Sequence, residues 1–552
     1  MPRHLFSTGA LRRSHKIARP FLKAAVPIAQ FLAKAPRLTI RERFRIVDQA
    51  TMVLEGFYVH LPLKREMYAV DPLRRLKLLR QRIPRLTNDI LFHNEMLDIF
   101  ASIRDLHTNY VLPAPFKTAV AWLPFKVEAC GGVERREYLA TKIAGWFRHP
   151  TFRKGVKILY WNGVPIARAV EIVGTQSAGG NPAARHAQGL SQLTARTLMT
   201  VPPPEEEWVN VRYRDRRGRE HELRFDWLVT NLARVGGKPR TFAAERIRQI
   251  NKFLFAPHVI EAARKIERKR NPLSSIKCTQ STMPDFIRTA ILKPRSGKAI
   301  GYIRIFSFDV PIVDDFVSEF VRLIKFLPQN GLVIDVRDNG GGHTAAAERL
   351  LQIISPRQPI EPQHLYFINT PLTLELCHMQ KSNLAFSSKG LSPWITSVQR
   401  SLESGAVYSA GFPYTDPKSC NSIGRLYRGP VIVIVNANSY SATEFLAAGF
   451  QDHGGRVLGT DESTGGGGAN VRTHLQIRGY FKRARQSPFK LLPKEAELRV
   501  ALRRAMRVGM QFGNEVEDFG VTPDFYHAIT RNDALNKNED LINCAATLLS
   551  RA

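Results

Sequence analysis

A chain of 552 residues is longer than one simple core organises, so roughly two to four structural units are expected. Hydrophobic residues make up 44%, enough for a sizeable core, and no window reaches the ~18 consecutive apolar residues of a membrane span, so a soluble protein is expected. The 81 basic against 48 acidic residues leave a formal charge of +33, which admits contact with nucleic acid or an anionic membrane surface.

No zinc-finger spacing, aromatic–basic RNA motif or phosphate-binding glycine loop accompanies that charge, so solvated basic faces are its plainer reading. Cys130, Cys278, Cys377, Cys420 and Cys544 are scattered without a CxxC pair, which excludes a disulfide framework and a cysteine zinc site. At least one thiol is left unpaired, which favours a reducing, cytoplasmic compartment.

In chain order, residues 1–39 form a basic arm, with seven Arg/Lys in the first 35 residues and no acid before Glu42. Its stretch AAVPIAQFLA (24–33) suits an amphipathic surface segment. Residues 40–138 are expected to be helical at first, because LTIRERFRIVDQATMVLEGFYVH and NDILFHNEMLDIFASIRDLH repeat apolar residues at three- and four-residue spacing. Residues 139–229 change to short strands with turns. GVKILYWNGVPIARAVEIVG reads as strands, and WVNVRYRDRRGREHELRFDW reads as a hairpin around Arg217-Gly218. Residues 230–295 read as a basic linker or insertion, with an exposed helix ARKIERKRNP ending at Asn271-Pro272. From 296 to 552 a core follows: strand KAIGYIRIFSF, helix DDFVSEFVRLIKFL and buried strand GLVIDVR imply a parallel β-α-β crossover. The arrangement recurs with GPVIVIVNAN and a helix from Ala442.

Two stretches carry chemistry. In IDVRDNGGG (334–342), three glycines after a buried strand let backbone approach closely and can present N–H groups to a developing anion. In VIVIVNANSYSATEFLAAGFQDHGG (431–455), Ser441 stands where a buried strand becomes a helix, at the carboxyl end of the sheet where α/β folds place their sites. A serine there is either a helix cap, a role Ser439 fills equally well, or a nucleophile with the Ala442 N–H beside it.

IDVRDNGGG, SYSATEFLAAGFQD, GTDESTGGGG and EVEDFGVTPD, in this order over roughly 300–530, resemble the C-terminal processing peptidases. This serine-peptidase family includes the tail-specific proteases, the tricorn core and the chlamydial protease-like activity factor. The resemblance implies an α/β fold with a crotonase-like ββα core, an N-terminal helical region and an inserted β-rich, PDZ-like module at 139–229. It implies Ser441 as nucleophile, with Ala442 N–H and a glycine N–H, Gly341 in the run 340–342, as oxyanion hole. Tail-specific proteases carry a lysine base in the segment that here reads STGGGGANV, and Gly467 takes its place. The His/Glu-using branch is the nearer match: His107 in DLHTNY matches its base and Glu517 in EVEDFGVTPD its carboxylate.

A histidine accepts a serine proton near neutral pH, and a carboxylate orients it. His343 and His453 compete with His107 by position, as do Glu515 and Asp518 with Glu517. Asp452 is a supporting candidate, and Arg337 and Asn339 are expected to hold the glycine turn. The expected activity is serine endopeptidase hydrolysis of peptides or unfolded protein, with no cofactor and no metal. A catalytically inactive peptide-binding scaffold of the same fold is the alternative, and a nucleic-acid-associated protein is the second. Self-association is also admitted.

Overall fold

The computed structural model describes residues 14–235, 243–267, 279–295, 297–384, 386–387, 389–482 and 487–551. In the N-terminal region, α1 (Ile40–Phe57) starts from a capping box in which Glu42 N–H donates to Thr39 Oγ1 and Thr39 N–H to Glu42 Oε2. Its buried stripe Ile46, Val47, Ala50, Val53, Leu54, Phe57 has helical spacing. The helix α2 (Leu61–Tyr68), a helix over Pro72–Arg82 and α3 (Asp89–Ser102) follow. Past α3 the chain extends into the short strand β1 (Asn109–Val111).

The β-rich module is a sheet in the order 220–226, 208–214, 157–161, 137–143, 125–130. Trp208–Arg214 and Glu220–Asp226 pair antiparallel about the turn at Gly218, whose φ is +83°. The sheet starts at Phe125, ahead of the start expected at 139. Ile166–Thr175, expected as strand, is a helix. Ile166, Ala169, Val170 and Val173 are its buried residues, a 3.6-residue stripe that short-run β-propensity obscured.

The core sheet runs β2 (Ile287–Leu292), β3 (Ile300–Ile305), β4 (Leu332–Asp335), β5 (Val431–Val435), β6 (Arg456–Gly459), β8 (Phe525–Tyr526). The first pair is antiparallel and the rest parallel. On one face lie α4 (Val313–Ile324), α5 (Thr344–Ile354) and α6 (Ala442–Asp452), packed with Ile334, Val433 and Val435. On the other, Leu541, Ala545 and Leu549 of the last helix cover Val333, Ile432 and Ile434. Both faces are covered, so the strand VIVIV is apolar throughout; each such buried side chain contributes about 1.5–3 kcal/mol.

A second sheet is organised by β7 (Glu497–Met506), which pairs with Ala469–Thr473, with His364–Phe367 and, antiparallel, with β1. That last pairing fastens the segment after α3 to the C-terminal unit.

Two stretches expected to lie outside the packed units are built into the fold. Phe21 of the basic arm is buried, stacked on Phe253 at 5.2 Å and against Trp122. In the 230–295 stretch, helices Ala243–Phe255 and Pro257–Glu267 form and Ile287–Leu292 is a sheet edge. Burial of Ile250, Phe253 and Leu254 outweighs the local excess of charge. The expected helix end at Asn271-Pro272 and Cys278 lie outside the described residues.

Candidate active site

At the end of β5 the chain turns through Asn436–Tyr440. Asn436 N–H donates to Ser439 Oγ, which donates to the Val336 carbonyl at 3.0 Å. Ser439 thus joins two strand ends and is spent as a cap or nucleophile. Ser441 has φ 59° and ψ −124°, left-handed backbone that costs a non-glycine residue about 1–3 kcal/mol. It is half-buried at the N-terminus of α6. Its N–H donates to Glu444 Oε2 at 3.0 Å.

Glu444 is fully buried and accepts three more bonds, from Thr464 Oγ1 at 2.5 Å and from Gly466 N–H and Gly467 N–H at 2.8 Å each. Burial pushes its carboxyl up to about 7 against the pull of these four donors. The glycine loop is therefore clasped to the elbow through one carboxylate.

Gly341 lies directly on the elbow. Its φ is +95°, and a Cβ there would stand 2.6 Å from Ser441 Cβ and 2.9 Å from Ala442 N. Gly341 N–H donates to Asn339 Oδ1 at 3.0 Å, while Asn339 Nδ2 donates to the Ile305 carbonyl. Ala442 N–H is in the first helical turn, where no intrahelical carbonyl faces it. Arg337 pairs with the buried Asp335 at 2.7 Å and donates to Asn538, anchoring the turn from beneath. Asp452 pairs with Arg507 at 2.6 Å at the far end of α6. Among the competing bases, His453 is spent: its Nδ1 faces the Gly449 carbonyl at 2.7 Å and its Nε2 accepts Glu361 N–H. His343 is exposed at the start of α5.

The DLHT stretch folds as a side-chain-fastened turn. Asp105 Oδ1 accepts His107 N–H at 2.7 Å, Asp105 Oδ2 accepts Thr108 Oγ1, and Thr108 Oγ1 accepts Ala501 N–H of β7. His107 is buried, and neither ring nitrogen has a hydrogen-bond partner among the described residues. Its ring rests on Tyr440 with centroids 4.6 Å apart, and Asp105 Oδ1 is 4.0 Å from its Nδ1. Burial, then Arg499 and Lys64, hold it well below the ordinary histidine range, so it is neutral.

Glu517 is also buried, and its partner is Lys64 Nζ of α2 at 2.8 Å; that ammonium meets Asp518 at 2.5 Å. Burial alone would lower Lys64, but the two carboxylates hold it well above its ordinary value. Burial drives Glu517 far up, with Lys64 opposing and Asp105 and Asp518 adding to the rise. Glu515 pairs with Arg504.

His107 rests on Tyr440, the residue before Ser441, and the charge of Glu517 acts on the Tyr440 hydroxyl; among the described residues no hydrogen bond joins the His107 ring or the Glu517 carboxylate to another group, the Lys64 ion pair aside. Tyr440 itself was missed by sequence reasoning. A Cβ on Gly467 would stand 1.9 Å from Tyr440 Cζ and 2.4 Å from its hydroxyl, so the tyrosine ring fills the space a side chain at 467 would need. Lys64, His60 and Asp105 were also missed. Asp105, two residues before His107, carried the spacing of an Asx turn; Lys64 and His60 carried no local signal.

A serine on a strained strand-to-helix elbow, with a glycine loop on its Cβ and a helix N-terminus beside it, defines a serine-hydrolase arrangement on an α/β sheet. Residues 299–526 match the family model Peptidase family S41, and residues 119–234 match the model PDZ domain. Residues 299–526 thus form a peptidase family S41 domain and residues 119–234 a PDZ domain, and the protein is a serine-type peptidase. The domain match begins at 119, twenty residues ahead of the expected 139. Among solved structures, mature CPAF is 15% identical at a TM-score of 0.63, covering 93% of this chain and 97% of that one, a likeness of fold. The photosystem II D1 C-terminal processing protease (14% identity, TM-score 0.38, 93% and 98% covered) and the tricorn protease (15%, 0.38, 94% and 37%) are more distant. No curated protein matches the chain. No helix among the described residues is long and apolar enough to cross a membrane.

Proposed function

We propose that the peptidase works through Ser441 as nucleophile, His107 as base and Glu517 as the carboxylate that orients it, on peptides or unfolded protein segments. The observation that carries this reading is the strained Ser441 elbow pressed against Gly341. Ser441 Oγ attacks the peptide carbonyl as neutral His107 takes its proton and later passes it to the leaving amine. Ala442 N–H and a glycine-loop N–H receive the oxyanion. Two movements are required: the Tyr440 ring leaves the space between His107 and the glycine loop, and Gly341 N–H turns away from Asn339.

A second reading uses Asp105 in place of Glu517, because Asp105 Oδ1 is 4.0 Å from His107 Nδ1 while Glu517 is held by Lys64. The match of DLHTNY and EVEDFGVTPD favours placement in the His/Glu-using branch. The four described cysteines are all free, which supports a reducing, cytoplasmic setting. The +33 charge supports a secondary contact with nucleic acid or anionic membrane that weakens with salt.

The test is fluorophosphonate labelling together with turnover of casein and a peptide library. Ser441→Ala is expected to abolish labelling, and both Ser441→Ala and His107→Ala to lower kcat by at least about a thousandfold. Glu517→Gln and Asp105→Asn compared in the same assay separate the two readings. Cleavage that survives Ser441→Ala would end the proposal.

A further inference from the structure

Beside the proposed triad, three donors from distant segments converge on one point. His60 precedes α2, Asp105 precedes His107, and Glu517 lies in the last loop of the core. One ligand atom from each lies within 4.8 Å of the others. His60 and Asp105 are 0% exposed and Glu517 1%. This is a mixed imidazole–carboxylate set sealed inside the protein, not an acidic surface patch.

The second observation is His60 itself. Among the described residues neither of its ring nitrogens has a hydrogen-bond partner, and its Nε2 is 3.5 Å from Glu517 Oε2. A buried polar group left unpaired costs about 1–3 kcal/mol, and a neutral imidazole with both nitrogens idle leaves one lone-pair nitrogen free to bind a cation. A spacing of 3.5 Å is that of neighbouring ligands around an ion with bonds of about 2.0–2.2 Å, and Asp105 offers a carboxylate oxygen within 4.8 Å of both while it also accepts His107 N–H and Thr108 Oγ1.

Charge points the same way. Asp105, Glu517 and Asp518 bring three carboxylates, against Lys64, which is shared between Glu517 and Asp518. Arg499 acts on Asp105 from β7, and Arg504 is paired with Glu515. The interior cluster therefore carries more anionic than cationic groups, and a proton or a metal cation must offset the difference. One imidazole and two carboxylates suit zinc-type first-row divalent ions; calcium would demand six to eight oxygens.

We propose that His60, Asp105 and Glu517 bind one zinc-type divalent cation, and that the bound ion withholds Glu517 and Asp105 from His107 and so silences the peptidase. The binding half stands on the cluster alone, and the silencing half rests on the triad reading above.

Full-length protein stripped with a chelator is titrated with Co²⁺ and followed by visible absorption, with Zn²⁺ as competitor. One equivalent of Co²⁺ is expected, with absorption stronger than that of the aqueous ion, displaced by Zn²⁺. Because loss of even an outer-shell partner commonly weakens metal affinity by 10–100-fold, loss of a direct ligand in His60→Ala or Glu517→Gln is expected to weaken it by at least about tenfold. Ser441→Ala should bind as the unsubstituted protein does. If His60→Ala fails to fold, His60→Gln carries the same expectation.

Absence of stoichiometric binding, or binding undiminished in the folded His60 variant, overturns the site. Zn²⁺ is expected to inhibit peptide hydrolysis by the unsubstituted protein and to lose that effect in the His60 variant. Hydrolysis unaffected by a saturated site overturns the silencing half. A protein that binds Co²⁺ but cleaves nothing even when metal-free overturns the triad reading and leaves the site standing.

Discussion

The two halves of the proposed active site are built to different standards. Around Ser441 every partner is placed: Glu444 holds four donors, Ser439 joins two strand ends, and Asn339 holds the glycine turn. Around His107 the buried polar atoms of His60, His107, Tyr58, Tyr440 and Glu517 lack hydrogen-bond partners. The nucleophile half comes from adjacent strands of one sheet, so the backbone ladder fixes it. The base half is drawn from α2, the DLHT turn and a loop over four hundred residues later, so only side-chain packing sets it. Under the roles proposed for Ser441 and His107, a well-bonded elbow beside a cluster with unpaired polar atoms is a natural place for control by shape or by a bound ion.

The sharpest attack on the rigid half is Gly341→Ala. Its Cβ would meet Ser441 Cβ at 2.6 Å with φ held at +95°. Hydrolysis is expected to fall by at least about a hundredfold and stability by roughly 2–4 kcal/mol, read from turnover and urea unfolding. Unchanged turnover would mean the glycine loop does not face the reacting carbonyl.

The boundary between the halves is Tyr440 against Gly467. Gly467→Ala is expected to cost about 1–3 kcal/mol in the unsubstituted protein, and at least about 1 kcal/mol less in a Tyr440→Ala background. Additive costs in that double-mutant cycle would show that the ring does not occupy the lysine-like space.

Glu444 and Glu348 are buried carboxyls both raised to about 7. An acid raised in the folded state stabilises it fully below its unfolded value near 4.5, and that contribution is lost as pH rises through about 7. Each site contributes on the order of 3 kcal/mol at most, so the urea midpoint is expected to fall between about pH 5 and 8. Glu348→Gln, which keeps an acceptor for Gln363 N–H, should remove part of that fall. A midpoint that rises over this range would contradict both assignments.

The smallest effect belongs to His343, exposed and close to the glycine run. His343→Ala is expected to change stability by less than about 0.5 kcal/mol and turnover by less than about twofold. A loss comparable to that of His107→Ala would move the base to the rigid half.

The residues themselves made the core legible. VIVIV and GLVIDVR announce strands buried on both faces, and the elbow serine with its glycine run follows from their ends. His107 is proposed only through the likeness of DLHTNY to a family pattern, because a lone histidine after a helix has no local signature. Ile166–Thr175 was misread because the β-branched Ile166, Val170, Ile172 and Val173 suggested a strand and hid the helical stripe Ile166, Ala169, Val170, Val173.

By itself, the sequence determined the strands, the elbow and the identity of Ser441, since these depend on neighbours in the chain and on the ladder between adjacent strands. Tertiary structure alone decided that Tyr440 stands where Gly467 leaves room. It also paired Lys64 with Glu517 and brought His60, Asp105 and Glu517 together. Those contacts join residues up to 457 positions apart (60 to 517), and nothing within any one segment records which other segment will pack against it.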